Sequence, residues 1–280
     1  MQLRIVALSF VTLLIFACGE DEQKLDTGQI NALTYNVAGL PMGISGSSPE
    51  ENAPVISPLL NNYELVLLQE DFVYHDKLTR EAIHPYQSIP KAPTTGYVSD
   101  GLNQLSQFPW VDFMRIQWVA CYGDATGGAA DCLSEKGFSF SRMSIGGDST
   151  VDVYNLHVEA GSGPEDQKAR TEGVSQFIRF VQQESADKAV IIGGDFNLHA
   201  NDAEDVVLIE KLTSELQIED ACLALDCGID VIDRFYFRSN QDIQLTPLSW
   251  RIGDEFVDEE GSDLSDHNAI NVRFKWTQTR

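Results

Sequence analysis

An apolar stretch ending in Ile191-Ile192 runs into Gly193-Gly194 and then at once into Asp195-Phe196-Asn197. Side chains alternate along an extended backbone, so Asp195 and Asn197 point the same way. A carboxylate and an amide presented together at a strand end suit metal-assisted attack on a phosphoryl group. A plain turn after a buried strand would carry the same letters, so partners elsewhere in the chain must decide. Four other apolar runs end on, or border, polar residues of the same chemical kind: Asn36, Glu70, His157 and the pair Asp266-His267. Hard oxygen ligands such as Asn36, Glu70 and Asp266 suit magnesium, which keeps several waters and shares its sphere with phosphate. The two histidines supply a general base and a phosphoryl or leaving-group donor.

The elements that must position these residues follow from patterning. Strands are expected over 30–37, 63–69, 137–143, 151–158, 189–192, 231–237 and 268–276. Val153, Asn155 and His157 share one face of the fourth of these. Residues 165–184 read as an amphipathic helix, with Ala169, Val174, Phe177, Ile178 and Val181 near one stripe. A second helix is expected over 202–216, with Asp202 near its start, and a short one over 77–83. Residues 41–58 read as a Gly/Ser/Pro-rich loop with a short helix near its end, and 84–110 as loop and strand. Many strands, few helices and no regular βαβ alternation favour an α/β sandwich over a doubly wound sheet.

The chain has 280 residues, 43% hydrophobic and 22% charged, enough for one large domain. Its formal charge of -24 repels phosphate backbones at long range. With 19 basic residues and no basic cluster, tight metal-free binding of nucleic acid through a basic patch is not expected. A substrate phosphate reached through a bound divalent cation stays open, because the ion inverts the local field. A monomer is expected.

Residues 1–17 read as an export signal: a basic start, then an apolar run from Ile5 to Ala17 too short to span a membrane. Ile15-Phe16-Ala17-Cys18 resembles a bacterial lipobox, with Phe16 bulkier than that pattern usually has. The resemblance implies a lipid on Cys18, a tether over 18–28, a catalytic domain over 29–280 and an outer-membrane or cell-surface lipoprotein. A cleaved, soluble secreted form is the alternative. The other four cysteines are even in number and locally spaced, which suggests Cys121–Cys132 and Cys222–Cys227 disulfides in an oxidising compartment.

Taken in order, TYNVAGLP (34–41), LLQE (67–70), YNLHVEAG (154–161), GGDFN (193–197), DRFYFRS (233–239) and LSDH (264–267) resemble the endonuclease/exonuclease/phosphatase superfamily. The resemblance implies a four-layer α/β/β/α sandwich, two mainly antiparallel sheets flanked by helices, with one active-site rim. It implies metal binding by Asn36 and Glu70, with magnesium or manganese as cofactor. Asp195 and Asn197 match the pair that orients the attacking water and holds the phosphate, and His157 the histidine at the scissile phosphate. Asp266 matches a metal-linked or histidine-linked aspartate, His267 the general base, and Asp233 the aspartate that pairs with a catalytic histidine. Arg234 stands where many members have Tyr or Lys.

The substrate is read from weaker segments. DGLNQLSQFP (100–109) and Lys136-Gly137-Phe138 resemble elements of the sphingomyelinase-like branch. They favour a phospholipid phosphodiesterase over an extracellular endonuclease. A phosphomonoesterase, or a lipid-anchored binding protein on the same scaffold, is the remaining alternative. Phe108-Pro109-Trp110 is the candidate for membrane insertion.

Overall fold

In a computed structural model, residues 25–94, 97–123 and 131–280 are described. The expected export signal, Cys18 and most of the tether lie outside the described residues. In chain order the elements are β1 (Thr27–Asn36), α1 (Pro49–Leu59), β2 (Leu65–Gln69), α2 (His75–Leu78), β3 (Tyr86–Gln87), β4 (Asn103–Ser106), β5 (Trp110–Gln117) and β6 (Gly137–Gly146). There follow β7 (Ser149–His157), α3 (Pro164–Glu184), β8 (Val190–Asp195), α4 (Ala203–Leu216), β9 (Glu219–Asp220), β10 (Asp233–Arg238), β11 (Ile243–Ile252) and β12 (Ile270–Gln278).

The strands form two six-stranded sheets, ordered β11-β12-β1-β2-β4-β3 and β5-β6-β7-β8-β10-β9. Only the β1–β2 and β7–β8 pairs are parallel. The expected four-layer sandwich of mainly antiparallel sheets is therefore what the chain forms.

Alternation along each strand divides its side chains between layers. Ile30, Leu65, Leu67 and Phe274 of the first sheet meet Val151, Val153, Ile191 and Phe235 of the second in the central core. Tyr154, Ile192 and Tyr236 point the other way, under Phe177, Ile178 and Val181 of α3 and Leu212 of α4. On the far side, Leu33, Tyr35 and Val66 pack beneath α1 through Ala53 and Ile56. The apolar stripe read from the sequence of α3 is thus the face that covers the second sheet.

Toward one end of the sandwich the central layer turns polar. Gln69 Nε2 donates to Asn155 Oδ1 (2.6 Å) and Thr34 Oγ1 (3.0 Å), and Gln104 Nε2 donates to Ser141 Oγ (2.9 Å). The Gln69–Asn155 and Gln104–Ser141 bonds join the sheets just beneath the rim where the polar strand ends collect.

Several elements differ from expectation, among them β5, β9 and β11, for which no strand is expected. The short helix is only His75–Leu78. The loop before β2 contains an 11-residue helix, α1, despite Pro54 and Pro58 inside it. Pro54 and Pro58 break its polar periodicity in sequence, while Ala53 and Ile56 hold it down by burial. Strand β11 is an edge strand, bulged between Pro247 and Ser249, where a missing N–H is tolerated. Both disulfides, Cys121–Cys132 and Cys222–Cys227, form as the spacing suggested.

Glycine is required where β8 runs between its neighbours. A methyl group at Gly194 would collide with the backbone carbonyl oxygen and nitrogen of Leu156 in β7. Neither strand can move aside, since both lie inside the second sheet. Gly194→Ala is expected to cost about 3 kcal/mol or more, read as a lowered urea midpoint. An unchanged midpoint would contradict the packing described.

Candidate active site

Strand register alone brings the rim residues together. Asn36 ends β1 opposite Gln69 of β2, and Glu70 follows. His157 ends β7 opposite Asp195 of β8, and Asp195 in turn faces Asp233 of β10. His267 sits in the turn that enters β12, which pairs with β1. Each sheet therefore supplies part of one cluster.

Asn36 lies at its centre, fully buried. Its Oδ1 accepts from the Ala38 backbone N–H at 3.0 Å, which fixes the amide orientation. Its Nδ2 then faces Glu70 Oε1 and Asp195 Oδ2, each at 3.1 Å, with His267 Nε2 at 3.4 Å. His157 Nε2 lies 3.3 Å from Asp195 Oδ2 and 3.9 Å from Glu70 Oε1. Asp233 Oδ2 is bonded to His267 Nδ1 at 2.9 Å. Asp195 Oδ1 accepts from Asn197 N–H at 3.0 Å, and Asn197 Nδ2 donates to the Val158 carbonyl.

Of the three residues expected to ligate a metal, the structure turns only Glu70 into the cluster as an oxygen donor. Asn36 presents N–H groups there, because its oxygen is taken by Ala38. Asp266 is exposed, with Oδ2 toward Gly46 and Oδ1 3.5 Å from Ser265 Oγ. Asp195, His157, Asp233 and His267 converge as expected, and Asn197 stands at their edge.

Burial dominates the electrostatics. It pushes Glu70 and Asp195 upward, with the Asp233 charge adding to Asp195. It drives His157 well below an ordinary histidine, with the charges of Lys136 and His267 adding, so His157 is neutral. At Asp233, burial raises the carboxyl against the opposing pull of His267. At His267, burial pulls downward, but the bond and charge of Asp233, then Asp195 and Asp266, outweigh it and lift the imidazole to about 10.

The supporting residues were less visible in the sequence. Lys136, 8% exposed, is ion-paired to Asp131 at 2.5 Å, and its charge acts on Glu70, His157 and Asp195. The resemblance of Lys136-Gly137-Phe138 to a branch element marks the residue, but not its ion pair with Asp131 or its reach to Glu70. Glu70 itself has φ +54°. Gly39 N–H donates to its carbonyl, and Gly101, at φ +63°, leaves no room for a methyl, which would sit 2.9 Å from Glu70 Cα. The adjacent Asp71 is buried and bonded to His75 Nδ1 (2.5 Å) and Asn103 Nδ2 (2.7 Å). Arg115 of the second sheet grips Asn103 Oδ1 (2.7 Å) and Asp100 Oδ1 (2.8 Å). No sequence spacing links Asp71 to Arg115.

The raised His267 can be read directly. With chelator present, its imidazole is expected to titrate near 10 in an NMR pH series. Asp233→Asn should bring it down toward the ordinary value of 6.5, because the largest upward pull is removed. The same titration in both proteins would mean that Asp233 does not hold His267.

The chain is 34% identical over 273 residues to a sphingomyelinase of Mycobacterium tuberculosis, a match covering 89% of this chain and 53% of that protein. It spans about half the length of the curated relatives it matches. Among solved structures, a Staphylococcus aureus beta toxin mutant with bound magnesium ions shares the fold at TM-score 0.65 and 18% identity, covering 88% of this chain and 99% of that one. TDP2 of D. rerio, solved with a single-strand DNA product, gives TM-score 0.65 and 16% identity, covering 88% and 98%. No family profile matches. With two six-stranded sheets in this order and sequence likeness to a sphingomyelinase along nearly the whole described body, the chain is similar to the endonuclease/exonuclease/phosphatase superfamily, in its sphingomyelinase-like branch.

Proposed function

We propose that the protein is a metal-dependent phosphodiesterase acting on phospholipid, with sphingomyelin as the first substrate to try. The observation that carries this reading is the meeting of Glu70, Asp195 and His157 with the Asp233–His267 pair on one rim. The likeness to proteins named sphingomyelinase supports the lipid as substrate.

The residues fit a hard divalent cation. Three carboxylates, Glu70, Asp195 and Asp233, are drawn together and all pushed upward by burial, which added positive charge would relieve. Asp195, Asp233 and His267 offer ligand atoms within 4.8 Å of one another. His267, however, is held through Nδ1 by Asp233 and is lifted toward its charged form. The oxygen-rich side, with Glu70 as principal ligand, is therefore the better seat for magnesium or manganese. When bound, such an ion would polarise a phosphoryl oxygen.

The remaining chemistry belongs to the chain. Asp195 and Asn197 orient the attacking water. His267 accepts its proton at Nε2, while Asp233 fixes the ring through Nδ1. Neutral His157 donates a hydrogen bond to the phosphoryl oxygen as charge grows there. Asn36 holds the two carboxylates at their separation. His267 must be neutral to accept that proton, and the positive charge of a cation bound nearby would favour its neutral form against the upward pull of the carboxylates.

Residues 1–18 are proposed as a lipoprotein export signal ending at Cys18, supported by the apolar run 5–17 and by two disulfides suited to an oxidising compartment. Cys18→Ala should shift the protein from the membrane to the soluble fraction of its host.

An assay panel tests the activity. Phosphocholine release from sphingomyelin in detergent micelles should need magnesium, stop with EDTA and fall about 10²–10⁴-fold in His267→Ala. Plasmid nicking without lipid turnover would replace this reading with a nuclease. Equal rates for wild type and His267→Ala would remove the enzyme reading altogether.

A further inference from the structure

The cavity beside Glu70 inverts the usual order of exposure. It encloses about 340 Å³ and is lined by Leu40, Ile44, Phe72, Tyr97 and Leu133 together with Glu70, Asp131 and Lys136. The charged members are the covered ones: Asp131 is 4% exposed and Lys136 8%. Of the apolar members, Ile44 (71% exposed) and Tyr97 (74%) stand out, while Leu40, Phe72 and Leu133 are half-buried. Met42, 47% exposed, and Val73, 50% exposed, extend the same lip. Met42 is tied to it by its N–H to Tyr74 Oη, and Val73 by its N–H to the Gly39 carbonyl. Burying cations and acids while exposing large apolar groups is the reverse of ordinary surface design.

Charge sharpens the picture. Residues 37–49, which carry Met42 and Ile44, and 97–99, which follow on from Tyr97, contain no Asp, Glu, Lys or Arg, in a chain of net charge -24; beside Val73 the nearest exposed charge is Asp76. The Met42–Ile44 stretch of the lip is uncharged in a chain that is acidic as a whole. Among the described residues no helix is long and apolar enough to cross a membrane.

Trp110, the sequence-based candidate for insertion, is elsewhere. It opens β5 opposite Met143, whereas Gln117 at the other end of β5 pairs Gly137 beside the rim. Seven residues of strand, about 23 Å, separate the two ends. Phe108 packs on the central core, and Trp110 packs on Tyr86 and Phe113.

We propose that the lip of Met42, Ile44, Val73 and Tyr97 is the face that seats the protein on a zwitterionic lipid surface. The inference rests on the phospholipid phosphodiesterase reading. A headgroup phosphate that reaches Glu70 from a bilayer requires the bilayer to lie against whatever borders Glu70, and the exposed border is this lip. Apolar side chains enter the headgroup boundary, while the acidic surround is repelled by anionic lipid. The polar residues behind the lip then face the phosphate.

Sedimentation with vesicles tests it, using the full chain with Cys18→Ala throughout so that no acyl chain contributes. With phosphatidylcholine–sphingomyelin vesicles and EDTA, Ile44→Ser/Tyr97→Ser should lower the bound fraction about ten-fold, the loss of partial burial of two apolar groups. Val111→Ser, equally apolar and 60% exposed near the opposite end, should bind as wild type does. Phosphatidylserine in the vesicles should weaken binding. The ratio of vesicle to micelle turnover should fall with the bound fraction. No binding by wild type, equal binding by the double variant, or stronger binding with phosphatidylserine would overturn the proposal. So would a change in the protein's own association state in the double variant, which would make the lip a self-contact. Because binding is read in EDTA, docking can fail while micellar turnover stands, and turnover can fail while docking stands.

Discussion

The amide of Asn36 is the contact on which the rim depends. It belongs to the first sheet, and through one nitrogen it touches Glu70 of that sheet and Asp195 of the other. A sandwich core made only of apolar groups would let the sheets slide by small amounts at little cost. The polar layer below Asn36 removes that freedom, because Gln69, Asn155, Gln104 and Ser141 each need a partner on the opposite sheet. Buried polar groups of this kind are costly when half satisfied, so the layer is stable in one register. That register sets the separation of the carboxylates above it.

The same contact explains why the site concentrates charge it cannot neutralise. Glu70, Asp195 and Asp233 are pressed together by backbone geometry, with Lys136 and His267 as the nearby cations. Lys136 is already shared with Asp131, and His267 with Asp233. One oxygen of Asp233 is buried without a partner. An apolar replacement would stabilise the fold more, which is the usual sign that such an arrangement serves chemistry. The two histidines illustrate how differently one rim treats like groups. His157 has burial working with neighbouring cations and stays neutral, whereas His267 has three carboxylates working against burial and charges.

What could be read from the chain follows from where side chains and neighbours come from. Asp195, Asn197, His157 and Glu70 are legible because strands that end in glycine or acid after an apolar run announce a rim, and alternation tells which side chains share it. The Asp233–His267 pair was available only through the family pattern, since 34 residues separate them. Lys136 is marked by the Lys136-Gly137-Phe138 element, but Arg115 acts across sheets, and local sequence carries no trace of which strand will lie opposite it. The Asn36 amide is subtler still. Its type is legible, but whether oxygen or nitrogen faces the cluster is decided by the Ala38 N–H two residues on. The turn that carries Asp266 aims it outward while Ser265 and His267 stay inside, a choice made by Ser265 Oγ bonding the Asn36 carbonyl at 2.7 Å.

Two of the three segments that carry the lip are the loops that carry Asn36 and Glu70. The loop after Asn36 becomes Leu40, Met42 and Ile44, and the loop after Glu70 becomes Phe72 and Val73. The Gly39 N–H to the Glu70 carbonyl and the Val73 N–H to the Gly39 carbonyl stitch these loops together. The stitched positions lie close to the rim, Gly39 three residues after Asn36 and Val73 three residues after Glu70. Glu70, held in a left-handed conformation, has few other backbone states available at that junction. A surface pressing on Ile44 and Val73 would favour the stitched arrangement over any opened one, because opening separates the apolar groups that the surface covers. A lipid interface in that position would order the rim as well as deliver the phosphate, without any contact of its own to Asn36.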